Sequence, residues 1–128
     1  MLKKLSMIGI GGSIGALLRY GFIIAYPAPQ YAFPLTIFTE NMAGSFLLGF
    51  LLVITANWWK QKGLRMSFFG TGLLGSFTTF STFSLNIVNL IDTGNISVAV
   101  GYLLLSTLGG LLAAFIGMML AYKLGGRP

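Results

Sequence analysis

The sequence contains no cysteine and no histidine among its 128 residues, and its only acidic side chains are Glu40 and Asp92. Without cysteine, disulfides and thiolate chemistry are excluded. Without histidine as well, the usual zinc sites and imidazole acid–base catalysis are excluded. The two carboxylates give no apparent acid–base pair. We therefore do not expect an enzyme.

Charged residues of either sign are scarce, at 8% of the chain against 55% hydrophobic residues. A soluble domain carries roughly 25% charged residues, and the mean hydropathy here is +0.86. This composition indicates a membrane protein with almost no mass outside the bilayer. Its few basic residues lie mostly at the ends of apolar segments, as membrane flanks do. They are too few to predict nucleic-acid binding.

Four apolar segments reach the length of about 20 residues that a membrane-spanning helix needs. A proline-punctuated loop, a basic loop and a DTGN turn separate them. The sequence therefore predicts one all-α domain, residues 1–128, with four transmembrane helices. The predicted spans are residues 5–26, 35–59, 66–91 and 96–122.

Small residues four positions apart occur within these spans, as at Gly11 and Gly15, and again at Gly110 and Ala114. That spacing lets helix backbones approach closely in lipid. We expect a tight bundle. Four helices nevertheless make a thin one, so a polar pathway through it is expected to need a second subunit.

Two ionisable residues fall within the spans, where such residues are costly and usually functional. Arg19 either reaches the membrane interface or attracts anions at a pore mouth. Glu40 either reaches headgroup water or is protonated, and a carboxylate there is not expected to line an anion pathway. The neighbouring Asn41 donates hydrogen bonds without a full charge, either to another helix or to a pore.

The stretch GSFTTFSTFS, residues 75–84, places six hydroxyl side chains in an apolar segment. Phe80 and Phe83 share a helical face; spacing alone favours packing, although a ring edge also offers a positive rim to an anion. The segment after Gly75 predicts a helix break, whose freed carbonyls can bind a small cation. Tyr102 and Ser106 share a face of the fourth helix, and their hydroxyls either bond to another helix or line a pathway.

Three motifs together resemble those of the Fluc/CrcB family of fluoride channels. They are GGSIGALLRY at 11–20, TENMAGSFLLG at 39–49 and GLLGSFTTFSTFS at 72–84. The third motif is the most specific, and the resemblance extends over essentially the whole chain.

The resemblance implies passive export of fluoride across the bacterial inner membrane, which relieves fluoride toxicity. It implies an antiparallel, dual-topology homodimer in the lipid bilayer, with a third helix broken near its middle. It also implies two fluoride pores and a central structural sodium ion. Carried over by motif, Gly75 and Thr78 would hold sodium through backbone carbonyls, and Arg19 would lie near the vestibule. The implied fluoride pathway comprises Asn41, Phe80, Ser81, Thr82, Phe83, Tyr102 and Ser106.

The chain departs from the family pattern at three positions. Ile37 stands where a threonine is common, and Gly110 stands where a serine is expected one turn beyond Ser106, so the hydroxyl track is expected to be shorter. Glu40 beside the pore asparagine is also unexpected. It leaves one alternative function, a proton-coupled small multidrug-type transporter, which would need a carboxylate on the substrate path.

The basic residues conflict with dual topology. With four spans, all seven flanking basic residues lie on one side, and the positive-inside rule would then select one orientation. Either antiparallel dimerisation overrides this bias, or the chain pairs with an oppositely oriented homologue; we favour the homodimer. The seven are Lys3, Lys4, Lys60, Lys62, Arg65, Lys123 and Arg127.

Overall fold

The structure, a computed structural model, describes residues 1–27, 32–58 and 62–124, and all regular structure in these ranges is helical. Lys60 and Arg127, two of the flanking basic residues, lie outside them. Helix α1 spans Leu2–Ala25, and α2 spans Leu35–Trp58. The third helical stretch comprises α3 (Lys62–Met66), a π-helix (Ser67–Leu74), α4 (Gly75–Phe77) and α5 (Phe80–Asp92). Helix α6 spans Ile96–Lys123.

Prolines set the connection between the first two helices. α1 ends two residues before Pro27, which cannot supply the N–H that a continuing helix needs. Pro34 directly precedes α2, and its carbonyl accepts the Phe38 N–H at 3.0 Å. The Thr36 hydroxyl donates to the Tyr26 carbonyl, which ties the start of α2 to the end of α1.

Among the described residues, three helices are long and apolar enough to cross a membrane: α1, residues Leu35–Ala56 of α2, and α6. The third stretch is predicted as one span but is divided into shorter segments. The Gly75 N–H reaches back five residues to the Gly70 carbonyl, the hydrogen bond that defines π geometry. Such π segments are rare and occur often at functional sites.

Close backbone contacts join the helices in two pairs. α1 packs on the π-helix, and a Cβ added at Gly15 would overlap the Leu73 carbonyl. α2 packs on α6, and a Cβ at Gly49 would overlap the Ala114 carbonyl. The close approach predicted from small-residue spacing is confirmed at these positions.

A small core joins α2, α5 and α6 near one end of the bundle. It consists of Ile37, Phe83, Leu90, Ala99 and Tyr102. Most large apolar side chains of α6 are exposed instead, as Leu108 and Leu111 illustrate. A surface of this kind suits lipid or a second subunit.

Candidate functional site

The third helical stretch breaks at Thr78 and Thr79, both of which have extended backbone. The predicted break is thus confirmed, and α5 begins at Phe80, immediately after it. The Thr78 N–H and hydroxyl both donate to the Leu74 carbonyl, at 3.0 and 2.9 Å, and close the end of α4.

Asn41 of α2 holds the backbone of this break from the side. Its Nδ2 donates to the Thr79 carbonyl at 3.1 Å, and its Oδ1 accepts the Thr79 N–H at 2.9 Å. Of the two roles predicted for Asn41, the interhelical bond is therefore present. The Asn41 amide carries a second N–H, and the residue also lines a groove between α2, the broken stretch and α6, so a role in a pathway stays a prediction.

The Thr79 side chain caps the new helix. Its hydroxyl oxygen accepts the Thr82 N–H at 3.2 Å and lies 3.2 Å from Ser81 Oγ and 3.1 Å from Thr82 Oγ1. Both predicted α5 hydroxyl residues are thereby drawn into one network around a residue that the sequence analysis missed. Threonine is a preferred N-cap residue, and that preference is the signal that would have identified Thr79.

The break frees two backbone carbonyls. In a continuous helix the Thr79 and Thr82 N–H groups would donate to the Gly75 and Thr78 carbonyls. They donate instead to Asn41 Oδ1 and Thr79 Oγ1. Within the described ranges no cluster of three or more acidic or metal-binding side chains exists. Carbonyl oxygens without helical donors are ligands of the kind that hard cations bind.

The two phenylalanines of α5 differ in exposure. Phe83 is buried, whereas Phe80 is 80% exposed, and their ring centroids are 5.8 Å apart with the planes tilted by 42°. The Phe83 ring also lies 5.1 Å from Tyr102, whose other neighbour, Phe33, meets it edge-on at 5.3 Å. An aromatic column therefore runs from the exposed Phe80 into the core. Phe33, in the proline-rich connection, carried no sequence signal for this role.

A groove of about 340 Å³ runs between α2, the broken stretch and α6. Six of the predicted site residues line it: Gly75, Thr78, Phe80, Phe83, Asn41 and Ser106. The remaining four, Arg19, Ser81, Thr82 and Tyr102, are not among its lining residues. One surface thus brings together the two residues predicted to bind the cation and four residues of the predicted anion pathway.

Ser45 of α2 also lines this groove and was not predicted as a site residue. Its Oγ lies 3.6 Å from the position that a Cβ on Gly110 would occupy. The hydroxyl that α6 lacks at Gly110 is therefore available from the facing helix. Ile37, the other departure, is buried in the core beside Tyr102.

Several polar groups near the core have no hydrogen-bond partner among the described residues. They include both carboxyl oxygens of Glu40, the Tyr102 hydroxyl and Ser106 Oγ. Glu40 is fully buried within the single chain. The interpretation that it reaches headgroup water is therefore wrong, because no part of its side chain is exposed. Arg19, half-buried on α1, interacts with Glu40 electrostatically.

Comparison with known proteins gives consistent matches. A family model described as "CrcB-like protein, Camphor Resistance (CrcB)" matches residues 6–118. The chain is 44% identical over 121 residues to "Fluoride-specific ion channel FluC 1" of Listeria innocua, covering 94% of this chain and 98% of that protein. It is 42% identical over 113 residues to "Fluoride-specific ion channel FluC 2" of Nocardia farcinica, covering 88% and 78%. It is 38% identical over 122 residues to "Fluoride-specific ion channel FluC" of Azobacteroides pseudotrichonymphae, covering 94% and 97%.

Proposed function

Because the chain belongs to the CrcB family, we propose that it is a fluoride-specific ion channel that exports fluoride passively and so relieves fluoride toxicity. It is a membrane protein, with three helices in its described ranges that are long and apolar enough to cross a bilayer, and we assign it to the bacterial inner membrane. The observation that carries the proposal is the similarity to channels so named over 88–94% of this chain.

The polar residues of the site suit a small, strongly hydrated anion. Such an ion enters a narrow pore only if hydrogen-bond donors replace its water shell. Asn41 and Ser106 line the groove without carrying a full charge, so they would stabilise fluoride without holding it too tightly for release. The edges of Phe80 and Phe83 add weak attraction. Ser81, Thr82 and Tyr102 would supply further hydroxyls, and Arg19 would attract anions to the vestibule.

We assign the working unit as an antiparallel homodimer with two pores. The groove lies open on the surface of the single chain, and Phe80 beside it is 80% exposed. A second copy packed against this face would enclose both. The one-sided basic residues oppose this arrangement, so topology needs its own test. Tags on both termini should be accessible from both sides of the membrane; one orientation for every copy would contradict the homodimer.

Sodium fits the break as a structural ion. The Gly75 and Thr78 carbonyls have lost their helical donors and would hold it, while the ion would supply positive charge that fixes the break. Removing sodium during purification should reduce both the dimer fraction and fluoride flux. Unchanged assembly and flux in sodium-free buffer would contradict this assignment.

The decisive experiment is anion efflux from liposomes containing the purified protein. We expect rapid fluoride efflux, followed with a fluoride electrode, and no chloride efflux under the same gradient. Equal movement of both anions would contradict the selectivity, and no fluoride efflux would contradict the function. The multidrug-type alternative is not favoured, because the relatives are named as ion channels.

A further inference from the structure

Glu40 is a buried acid for which the proposed pathway has no use. It is fully buried, and neither carboxyl oxygen has a hydrogen-bond partner among the described residues. Buried polar groups in folded proteins are nearly always partnered, so each exception needs an explanation. An ionised carboxylate without partners would be strongly destabilised here.

Two hydroxyls of α6 are also buried without a hydrogen-bond partner in the described ranges. The Tyr102 hydroxyl and Ser106 Oγ are buried and make no hydrogen bond within the described part of the chain. Glu40 lies one turn along α2 from Ile37, which packs with Tyr102 in the core, so Glu40 and Ile37 share the face of α2 that is turned toward Tyr102. Ser106 lies one turn along α6 from Tyr102 and lines the groove.

The charged and polar groups around Glu40 do not complete its hydrogen bonds. Arg19 of α1 interacts with it electrostatically but donates no hydrogen bond to it. Asn86 of α5 lies beside the Tyr102 hydroxyl without a well-formed hydrogen bond. The Arg19 charge favours the carboxylate, but full burial without any hydrogen-bond donor among the described residues opposes the charged form more strongly. The favourable form of the Glu40 side chain is therefore the neutral carboxylic acid.

A neutral carboxylic acid changes what this cluster offers to an ion. It has an O–H group that donates, as do tyrosine and serine hydroxyls. Glu40, Tyr102 and Ser106 then each have a buried O–H that donates to no group within the described part of the chain. A small anion is an acceptor that fits several donors at once.

We propose that Glu40 is protonated and that its O–H, together with the Tyr102 and Ser106 hydroxyls, binds fluoride directly. The proton stays on the carboxyl oxygen throughout, so no covalent step is involved. This inference deepens the proposed function and rests on it. It also reverses the expectation that Glu40 avoids the anion, because a carboxylic acid attracts the ion that a carboxylate would repel.

The first test compares fluoride efflux through Glu40→Gln and Glu40→Met. Glutamine keeps a neutral donor of similar shape, so we expect flux within about threefold of the original protein. Methionine removes the donor, so we expect a loss of about tenfold or more, in line with a lost hydrogen bond to a charged partner. Thr55→Val is the matched control, because Thr55 is also a buried α2 residue with an unpartnered hydroxyl. It lies about four turns away, and its flux should be unchanged.

Two flux results would overturn the proposal. Full flux through Glu40→Met would show that the acid contributes no donor. A loss in Glu40→Gln as large as that in Glu40→Met, with both variants eluting as the original assembly, would show that a neutral donor is not what the site requires.

The second test observes the proton and does not depend on transport. The chain has only two acidic side chains, so the infrared band of a protonated carboxyl is readily assigned. We expect such a band in the original protein and in Asp92→Asn, its absence in Glu40→Gln, and a shift on adding fluoride but not chloride. No such band, or one that fluoride leaves unmoved, would overturn the proposal even if the channel conducts. A protein that conducts no fluoride would instead contradict the proposed function.

Discussion

The two sides of the break at Thr78 and Thr79 are built by opposite means. Before it, the π-helix meets α1 backbone to backbone at Gly11, Gly15 and Gly72. After it, α5 packs on α6 through Phe83 and Tyr102 and gathers hydroxyls around its first turn. The segment before the break is positioned by close backbone contacts, whereas the segment after it carries the polar and aromatic side chains of the site. Substitutions should therefore fail differently on the two sides.

Gly15→Ala tests the backbone fit and should have the largest effect. The added Cβ would overlap the Leu73 carbonyl, which can move only if the π-helix moves. Overpacking of this kind costs about 1–3 kcal/mol, and we expect a lower thermal midpoint and loss of the assembled protein on gel filtration. Gly9→Ala is the matched control on the same helix, because nothing lies within 4 Å of its added Cβ. Equal stability of the two variants would contradict the backbone-fit account.

Asn41→Leu tests the hydrogen bonds that hold the backbone of the break between the two sides. It removes both hydrogen bonds to the Thr79 backbone, and each buried group left unpaired costs about 1–3 kcal/mol. We expect fluoride flux to fall by at least about tenfold, with moderate destabilisation. Asn89→Leu, at an exposed α5 position, should change neither. If Asn41→Leu conducted fluoride normally, the break would not depend on the two hydrogen bonds from Asn41.

Phe83→Ile and Phe80→Ile separate packing from ion contact on the α5 side. Both should lower fluoride flux, by up to about tenfold, since an aromatic contact is worth about 0.5–1.5 kcal/mol beyond its burial. Phe83→Ile should also lower thermal stability, because the Phe83 ring is buried against Tyr102. Phe80→Ile should leave the stability of the single chain unchanged, because Phe80 is exposed. Unchanged flux in both variants, with the dimer assembled, would remove the rings from the mechanism.

Ser45→Ala should have the smallest effect. If Ser45 supplies the hydroxyl that Gly110 lacks, its loss removes one neutral donor, worth about 0.5–1.5 kcal/mol. We expect a flux reduction of roughly two- to tenfold without a change in stability. Ser97→Ala, exposed near the start of α6, serves as the control. Flux equal to that of the control would leave Gly110 as a true gap in the hydroxyl track.

Long apolar runs and small-residue spacing predicted the helices and their close contacts, since both depend on local sequence and the bilayer. The π-helix was not predicted, because one extra residue in a turn leaves no distinct pattern in an apolar segment. The break was predicted from Gly75 and the hydroxyls after it, but the extended residues are the threonines that follow. Propensity alone does not choose between neighbouring positions.

The sequence predicted which residues belong to the site better than it predicted which of them contact one another. The resemblance indicated Asn41 and the α5 hydroxyls as members of one pathway. It did not indicate that Thr79 forms hydrogen bonds both to Asn41 and to an α5 hydroxyl. The bond to Asn41 depends on how α2 lies against the break. The burial of Glu40 was missed for the same reason, since an acid near the start of a predicted span gives no sign of what covers it.

The Asn41–Thr79 pairing has a thermodynamic consequence. The same pair of hydrogen bonds frees the Gly75 carbonyl on one side of the break and fixes the Thr79 hydroxyl network on the other. Sodium and fluoride bound at these two places would therefore be linked ligands of one element. If bound sodium changes the affinity for fluoride by some factor, bound fluoride must change the affinity for sodium by the same factor.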